Sequence, residues 1–266
     1  MIDAHRIARA RRAARSLLRG FGVESPEHIA IEAMAAAVGA EIVMSSDPVD
    51  SASARLVRVG DHAAIRVSAK IINEGARRFS IAHELGHLVL DHEQTLASLC
   101  GVSLPGAGAD LEAEANAFAA ELLMPEALLR RRCEVSPVDL EIAQGIARDF
   151  RVSLVAAARR FVELTSERCA LVYASGGVVR WVARSATFAP FVTSGRRVDP
   201  GSLAHDVMRG KGDDGPQDVP ASSWLDMSDD GGTEIVEHAA PIPEVGAVAS
   251  LLWIPERRAV ALRCFD

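Results

Sequence analysis

The segment FSIAHELGHLVL contains two histidines separated by three residues, His83 and His87, with Glu84 directly after the first. On a helix, residues four positions apart lie on one face, so both imidazoles can reach one tetrahedral metal ion. Glu84 would then lie beside the ion but outside its ligand set. There its carboxylate can accept a proton from a water molecule and later pass it to a leaving amine. The pattern therefore predicts a zinc site that hydrolyses peptide bonds.

The alternative is that the two histidines fell at this spacing by accident on a buried helix, because short motifs match by chance. Histidine is scarce, with eight in 266 residues, and a glutamate must also fall between the pair. Apolar residues surround the motif and would anchor the helix in a core, as a rigid site requires; they are Ile81, Leu85, Leu88 and Val89. We therefore favour the metal site.

A third ligand is expected from the next predicted helix, residues 110–124. Its core stripe consists of Leu111, Ala115, Phe118 and Leu122. Glu112 and Asn116 lie one turn apart on the flank of that stripe, whereas Glu114 and Glu121 project about half a turn away. We therefore predict Glu112 as the ligand and Asn116 as a residue that orients a ligand. Glu112 could instead be a first-turn acid that the helix dipole stabilises. Two histidines and a glutamate suit zinc, although manganese or iron could also bind.

Other potential ligands are predicted to lie apart from this site. His92 follows His87 by five residues and is expected to be solvated at the end of the helix, where a positive charge is favoured. The four cysteines are widely spaced and form no CxxC pair, which excludes a thiolate zinc cage and a dense disulfide framework; they are Cys100, Cys133, Cys169 and Cys264. Buried, reduced thiols of a cytoplasmic protein are the expected state.

The composition is that of a globular protein, with 49% hydrophobic and 24% charged residues. The net charge of −7 argues against non-specific binding to nucleic acid or to an anionic membrane. No run approaches 18 apolar residues, so no membrane span is expected. The arginine-rich N-terminus, MIDAHRIARARRAARSLLRGF, lacks the apolar core of a secretory signal and has helical apolar spacing. An amphipathic helix is predicted there, with an organellar presequence as the alternative.

Three stretches differ in character and predict an α+β chain. Residues 1–130 mix predicted helices with short predicted strands; the helices are Pro26–Val38, 77–92 and 110–124, and the strands are Glu41–Met44, Arg55–Val59 and Ala64–Ser68. Residues 131–166 form a pair of helices, with Ser136 and Pro137 at the first helix start. Residues 167–266 are rich in strands and predict a mixed α/β domain, in which Trp181, Trp224 and Trp253 are candidate core residues.

The helical pair has the helix and turn spacing of a helix-turn-helix, in the segment AQGIARDFRVSLVAAARRFVEL. Arg151, Arg159 and Arg160 are its candidate phosphate contacts. The alternative is a helical hairpin with a packing role. The second helix begins SLVAAA, which offers almost no side chain that could read base edges. We favour the packing role and do not expect direct nucleic-acid binding.

Three segments together resemble the ImmA/IrrE family of gluzincin-type metallopeptidases: AMAAAVGAEIV, RRFSIAHELGHLVLDH and EAEANAFAAELLMP. The resemblance covers the first 130 residues and implies a zincin-like peptidase domain there. It also implies that Glu112 is the third ligand, because Glu112 matches the glutamate of the family's ExxAN-like segment. Known members are bacterial, cytoplasmic zinc endopeptidases that cleave Cro/repressor-type transcription factors after DNA damage or another stress. The resemblance thus implies a separate DNA-binding repressor as the protein substrate.

The three-part layout looks like the IrrE branch of this family, whose C-terminal unit is compared with GAF sensor domains. This likeness implies a GAF-like C-terminal domain with a small-molecule ligand. Gluzincins often stabilise the oxyanion with a Tyr or His; the only tyrosine, Tyr173, lies outside the peptidase region. His62 is the candidate that remains, although an exposed histidine at a strand start is the alternative. The strand Ala64–Ser68 is predicted to be an edge strand that pairs with an extended substrate.

A second function is compatible with the same residues. The chain could be a zinc-containing transcriptional regulator that acts by binding DNA or a partner without proteolysis. An intact Glu84 argues against this alternative, because a site freed from catalysis has no chemical need for that carboxylate.

Overall fold

The computed structural model describes residues 4–46, 53–59, 62–92, 107–211, 215–226 and 232–262. The chain divides into two compact units: unit 1 comprises Met1–Leu128 and Ile146–Ser153, and unit 2 comprises Leu129–Gly145 and Leu154–Asp266. Helices are combined with two separate sheets, which confirms the predicted α+β class. The finer three-part division remains a prediction. Within the described ranges, every helix is too short or too polar to cross a bilayer.

Unit 1 contains a small sheet and several helices. Its elements are α1 (Ala4–Gly20), α2 (Ile31–Ala37), β1 (Ala40–Ser45), β2 (Ala54–Val59), β3 (His62–Ser68), α3 (Glu74–Val89) and α4 (Ala107–Leu123). The helix predicted over Pro26–Val38 is shorter than expected, because Pro26–His28 forms a separate 3-10 turn. Ile29 leaves the helical region with ψ of 80°, and both it and Ile31 are thereby buried. Gly39, with φ of +81°, ends α2 as glycine does most easily.

The strand order of the unit 1 sheet is β1-β3-β2. Strand β3 pairs in parallel with β1 and antiparallel with β2. The prediction that Ala64–Ser68 is an edge strand is therefore wrong, because β3 is paired on both sides, with β1 and with β2. In the described part of this sheet the edges are β1 and β2, and β2 packs against α3.

Helix α4 packs against both α1 and α3. Two carboxylates of α4 were expected to project about half a turn away from Glu112 and Asn116. Both are buried, Glu114 at 0% and Glu121 at 1% exposure. Each is bonded to an arginine of α1: Glu114 to Arg6, and Glu121 to Arg15 at 2.7 Å. A buried carboxylate without a partner is strongly unfavourable, so the arginines of α1 are what allow α4 to bury these acids.

The remaining elements of the chain are α5 (Glu126–Cys133), α6 (Leu140–Phe150), α7 (Leu154–Leu164), β4 (Cys169–Ser175), β5 (Val178–Arg184), α8 (Leu203–Met208), β6 (Gln217–Pro220), β7 (Glu234–Ile242), β8 (Ala247–Trp253) and α9 (Glu256–Leu262). The strands of unit 2 form an antiparallel sheet of order β5-β4-β8-β7-β6. Along the chain, the units change within α5, within α6 and again between α6 and α7. The strand-rich character predicted for residues 167–266 is confirmed, whereas the GAF-like identity remains a prediction.

Two local expectations for unit 2 are corrected. Helix α6 begins at Leu140 and not at Ser136-Pro137, because Asp139 caps it: Oδ1 of Asp139 accepts a hydrogen bond from the Ile142 N–H at 3.2 Å. Among the tryptophans, only Trp224 is fully buried, at 1% exposure. Trp181 and Trp253 are half-buried, with Trp181 stacked on Tyr173 at 5.1 Å between ring centroids.

Candidate metal centre

Helix α3 carries the two histidines and Glu84, and local interactions define where it begins. Asn73 is its N-cap, and Oδ1 of Asn73 accepts a hydrogen bond from the Ala76 N–H at 2.9 Å. Ile81 and Leu85 are buried, at 2% and 0% exposure, and fix the rotation of the helix about its axis. The imidazoles of the motif therefore project from a helix that is anchored in the core by its apolar residues, as the sequence predicted.

The three predicted ligands meet at one point. Nε2 of His83 lies 3.1 Å from Nε2 of His87. The carboxylate of Glu112 on α4 reaches both rings, with Oε2 at 3.2 Å from Nε2 of His83 and Oε1 at 3.4 Å from Nε2 of His87. These residues form a group whose candidate ligand atoms all lie within 4.8 Å of one another. The structure thus brings together the residues that could hold a metal.

The spacing of these atoms fits a tetrahedral ion. Ligands bound at about 2.0–2.1 Å in a tetrahedron lie about 3.3 Å from one another. Here the two Nε2 atoms are 3.1 Å apart, and each lies 3.2 or 3.4 Å from one of the two oxygens of Glu112. Two imidazoles and one carboxylate are also a common ligand set of catalytic zinc, which keeps a further position open. The donor set and its geometry therefore suit zinc.

The negative charges around the site favour a cation as well. The contacts with the imidazoles of His83 and then His87 hold the pKa of Glu112 well below its ordinary value, so this acid is a carboxylate at neutral pH. Burial lowers the pKa of His83, but the bond to Glu112 and the nearby charge outweigh it and leave the pKa raised. The site is thus rich in negative potential, which an ion would neutralise.

Close packing of α3 on α4 lets Glu112 reach the histidines. Gly86, inside the motif, faces α4, and a Cβ placed on it would lie 3.1 Å from Cδ1 of Phe118 and 3.2 Å from Cα of Ala115. Those distances are tighter than ordinary van der Waals contact. Glycine at this position therefore allows the two helices to approach closely enough for a carboxylate on one to share an ion with imidazoles on the other.

Both histidines are also bonded through their second ring nitrogen. Oδ1 of Asn116 lies 3.1 Å from Nδ1 of His83. This contact fits the ligand-orienting role predicted for Asn116. Nδ1 of His92 lies 3.0 Å from Nδ1 of His87. The expectation that His92 is solvated is wrong: it is 5% exposed, and its Nε2 lies 2.8 Å from Oε2 of the buried Glu114 on α4.

Glu84 lies beside the ligands, at the outer edge of the sheet. Its Oε2 accepts a hydrogen bond from the backbone N–H of Leu56 in β2 at 2.8 Å. Its charge also contributes to the raised pKa of His83. The carboxylate thus lies against β2 and near enough to His83 to affect its protonation, which is a position that a general base would need.

The other sequence candidates do not join this site. His62 is exposed at the start of β3 and lines a shallow pocket with Gly39, Glu41 and Val57, which matches the alternative interpretation. Arg160 is 2% exposed and bonded to Glu163, which leaves it no surface for a phosphate contact.

The remaining two arginines of the helical pair also have partners within the chain. Arg151 is bonded to Glu74, and the guanidinium of Arg159 lies 5.9 Å from the ring centroid of Trp181. These contacts support the packing role of the helices. Cys133 and Cys169 are buried free thiols, as predicted, whereas Cys100 and Cys264 lie outside the described residues.

Comparisons with known proteins agree with this geometry. Residues 31–162 match the model of a peptidase family described as the IrrE N-terminal-like domain, a stretch that contains Glu84 and all three candidate ligands. A solved structure of a Mycobacterium tuberculosis transcriptional regulator has a similar fold, with a TM-score of 0.60 and 17% sequence identity over 96% of this chain and 78% of that one. No curated protein sequence matches the chain. The resemblance inferred from the motifs is therefore confirmed for this stretch.

Proposed function

Since residues 31–162 form an IrrE N-terminal-like domain of metallopeptidase type, we propose that this chain is a zinc-dependent endopeptidase. The observation that carries the proposal is the convergence of His83, His87 and Glu112, with 3.1–3.4 Å between their ligand atoms. Glu84 is held beside them by β2. A chance histidine pair would not be expected to have both a third ligand and a general base in position.

The residues of the site divide the reaction between them. A zinc ion bound there would lower the pKa of water to about 7 and polarise the scissile carbonyl. Glu84 accepts the proton of the attacking water and transfers it to the leaving amine. Asn116, through its contact with Nδ1 of His83, keeps the Nε2 atom of that ring facing the site. No side chain is assigned to the oxyanion, since His62 lines a different pocket.

The substrate is proposed to bind along β2. The N–H of Leu56 points at Glu84, away from β3, so the outer edge of β2 runs past the general base. An extended peptide that adds to this edge would gain hydrogen bonds to outward backbone groups of β2 other than the Leu56 N–H, and with them a fixed register. This proposal replaces the sequence prediction for Ala64–Ser68, because β3 is enclosed between two strands.

We further propose that the substrate is a separate DNA-binding repressor of the Cro type, cleaved in the cytoplasm during a stress response such as that to DNA damage. This part rests on the family resemblance carried by RRFSIAHELGHLVLDH and EAEANAFAAELLMP. Cleavage of such a repressor would release the genes that it silences.

The proposal is tested with the zinc-loaded full chain and a Glu84→Gln variant. Both are incubated with purified Cro-type repressors from the same genome and with a proteome extract, and new N-termini are identified by mass spectrometry. The wild type should generate new termini, and the variant should retain zinc by elemental analysis yet generate none. Equal cleavage by the variant would show that Glu84 is not the base.

The second candidate function is regulation without proteolysis. It is favoured by one observation, the similar fold of a protein called a transcriptional regulator. In that case the full chain should shift operator DNA in a gel at physiological salt, and Glu84→Gln should shift it equally. If the wild type cleaves, Glu84→Gln does not, and neither protein shifts operator DNA, the function is that of a peptidase.

A further inference from the structure

We propose that His92 and Glu114 are positioning residues of the metal site, which fix the ring of His87 so that its Nε2 atom faces the ion. The inference rests on the proposed metal site and extends it to a chain of buried polar residues that ends on α1.

The chain of contacts is continuous. Nδ1 of His87 lies 3.0 Å from Nδ1 of His92. Nε2 of His92 lies 2.8 Å from Oε2 of Glu114, and Oε1 of Glu114 is bonded to Nε of Arg6. Arg9 adds a second charge, with Nη1 at 3.7 Å from Oε2 of Glu114. His92 is 5% exposed and Glu114 is 0% exposed, so protein atoms and not bulk water provide these interactions.

Hydrogen-bond chemistry gives this chain a direction. A carboxylate can only accept, so Nε2–H of His92 must donate to Glu114. The 3.0 Å contact between the two Nδ1 atoms has room for one proton only, so Nδ1 of His92 is the acceptor when His87 binds the ion through Nε2. Nδ1–H of His87 then donates to His92, and the lone pair of the His87 Nε2 is left free. That atom is the one which lies 3.1 Å from Nε2 of His83.

The two metal-binding histidines are therefore held in different ways. His83 is bonded by Asn116, a neutral and exposed amide. Nδ1 of His87 contacts the imidazole of His92, which is itself held by the buried carboxylate of Glu114. The arginines of α1 hold that carboxylate in turn. Partners of this kind fix ring orientation and raise ligand basicity, and their removal weakens metal binding by about 10- to 100-fold.

A second pair of residues on the same helices provides a matched control. Glu121 is buried at 1% exposure and bonded to Arg15 of α1 at 2.7 Å, as Glu114 is bonded to Arg6. Glu121 contacts Arg15 and the backbone N–H of Glu126, whereas Glu114 contacts His92. Loss of either carboxylate should weaken α1–α4 packing, but only the loss of Glu114 should reach the metal.

The test measures zinc affinity of the full chain by competition with a chromophoric chelator. His92→Phe keeps the ring volume but removes both nitrogens, and should weaken zinc binding by about 10- to 100-fold. His92→Asn places an oxygen where Nδ1 was, so the His87 proton keeps an acceptor and affinity should recover to within a few-fold of wild type. Glu114→Gln should weaken zinc binding, and Glu121→Gln should leave it unchanged.

A spectroscopic readout separates positioning from general destabilisation. Cobalt is loaded in place of zinc, and its visible absorption bands report the ligand geometry. The bands should shift in His92→Phe and keep the wild-type form in His92→Asn and Glu121→Gln. Zinc affinity and cobalt bands of His92→Phe that equal those of the wild type, in a protein folded by circular dichroism, would overturn the proposal. An equal loss of affinity in Glu114→Gln and Glu121→Gln would also overturn it.

Its failure can be distinguished from failure of the proposed function. Wild-type protein that binds zinc with the predicted order of variants but cleaves nothing would refute the peptidase and leave the positioning role standing. Wild-type protein that binds no zinc would refute both.

Discussion

The backbone N–H of Leu56 donates a hydrogen bond to Oε2 of Glu84 at 2.8 Å. This bond joins the edge strand β2 to the candidate general base on α3. Leu56 is 1% exposed, so its N–H depends on this acceptor and not on water. The carboxylate thus has two roles, one in the proposed reaction and one in holding the strand, and the two can be separated by choice of substitution.

We predict that Glu84→Gln leaves the metal-free protein nearly as stable as wild type, because the amide oxygen can still accept the Leu56 N–H. Glu84→Ala removes the acceptor and leaves a buried donor unpaired, which should lower the free energy of unfolding by about 1–3 kcal/mol. Urea denaturation of both variants in chelator provides the measurement. Equal stability of the two variants would show that the Leu56 bond contributes nothing.

The site shows what local sequence pattern can and cannot predict. His83, Glu84 and His87 follow from helical spacing alone, which requires no knowledge of other elements. Glu112 lies on a second helix, and its position relative to the apolar stripe was enough to predict the face on which it lies. In the structure, the carboxylate of Glu112 contacts both His83 and His87.

Interactions between distant segments were missed. His92 and Glu114 look like surface residues when each helix is considered alone, since nothing nearby in sequence shows that α1 covers them with Arg6. The strand order β1-β3-β2 is likewise nonlocal. Alternation identifies a strand but not its neighbours, which is why Ala64–Ser68 was wrongly predicted as an edge strand.

We predict that Gly75→Ala destabilises unit 1. A Cβ on Gly75, in the first turn of α3, would lie 2.4 Å from the backbone nitrogen of Ser153 and 2.4 Å from the carbonyl carbon of Val152. Backbone cannot move aside as a side-chain tip can, so the variant should lose about 1–3 kcal/mol or more. Urea denaturation gives the value, and zinc affinity should fall as well, because α3 carries the ligands.

The matched control is Gly108→Ala in the first turn of α4. No described atom lies within 4 Å of a Cβ at that position. The variant should therefore be unchanged or more stable by up to about 1 kcal/mol, through the higher helix propensity of alanine. A comparable loss in both variants would mean that the contact with Ser153 is not the cause.

We predict that Cys133 and Cys169 resist alkylation in the folded protein. Burial raises the pKa of Cys133 to about 11 and that of Cys169 to about 12. At pH 8 a thiol of pKa 11 is ionised in about one molecule in a thousand, against about a quarter for an ordinary thiol of pKa near 8.5. Iodoacetamide labelling of a Cys100→Ser/Cys264→Ser variant should thus be at least about 100-fold slower in buffer than in urea.

The same pKa shifts predict how stability depends on pH. A thiol whose pKa is raised by folding ionises first in the unfolded chain, so its contribution to stability is complete below about pH 8.5. It is lost as the pH rises from there towards 11. Replacement of both buried thiols by alanine should reduce this alkaline loss of stability, and rapid labelling of the native thiols at pH 8 would contradict the burial that causes it.

We predict that Glu237→Gln destabilises unit 2. Glu237 is 0% exposed, and its two oxygens accept four hydrogen bonds of 2.8–2.9 Å, from the backbone N–H groups of Leu203 and Ala204, Nε1 of Trp224 and Oγ of Ser250. Each oxygen accepts one of the two backbone donors at the start of α8. A glutamine has only one acceptor oxygen, so in either orientation one backbone N–H faces an amide NH₂ and loses its partner.

The loss should be about 1–3 kcal/mol, the usual consequence of a buried donor left unsatisfied. Urea unfolding followed by tryptophan fluorescence is a suitable measurement, because Trp224 is itself bonded to Glu237. Glu234→Gln on the same strand is the control: Glu234 is exposed, and the change should stay within about 0.5 kcal/mol. If the two variants were equally stable, the carboxylate would not be what joins α8 and Trp224 to the sheet.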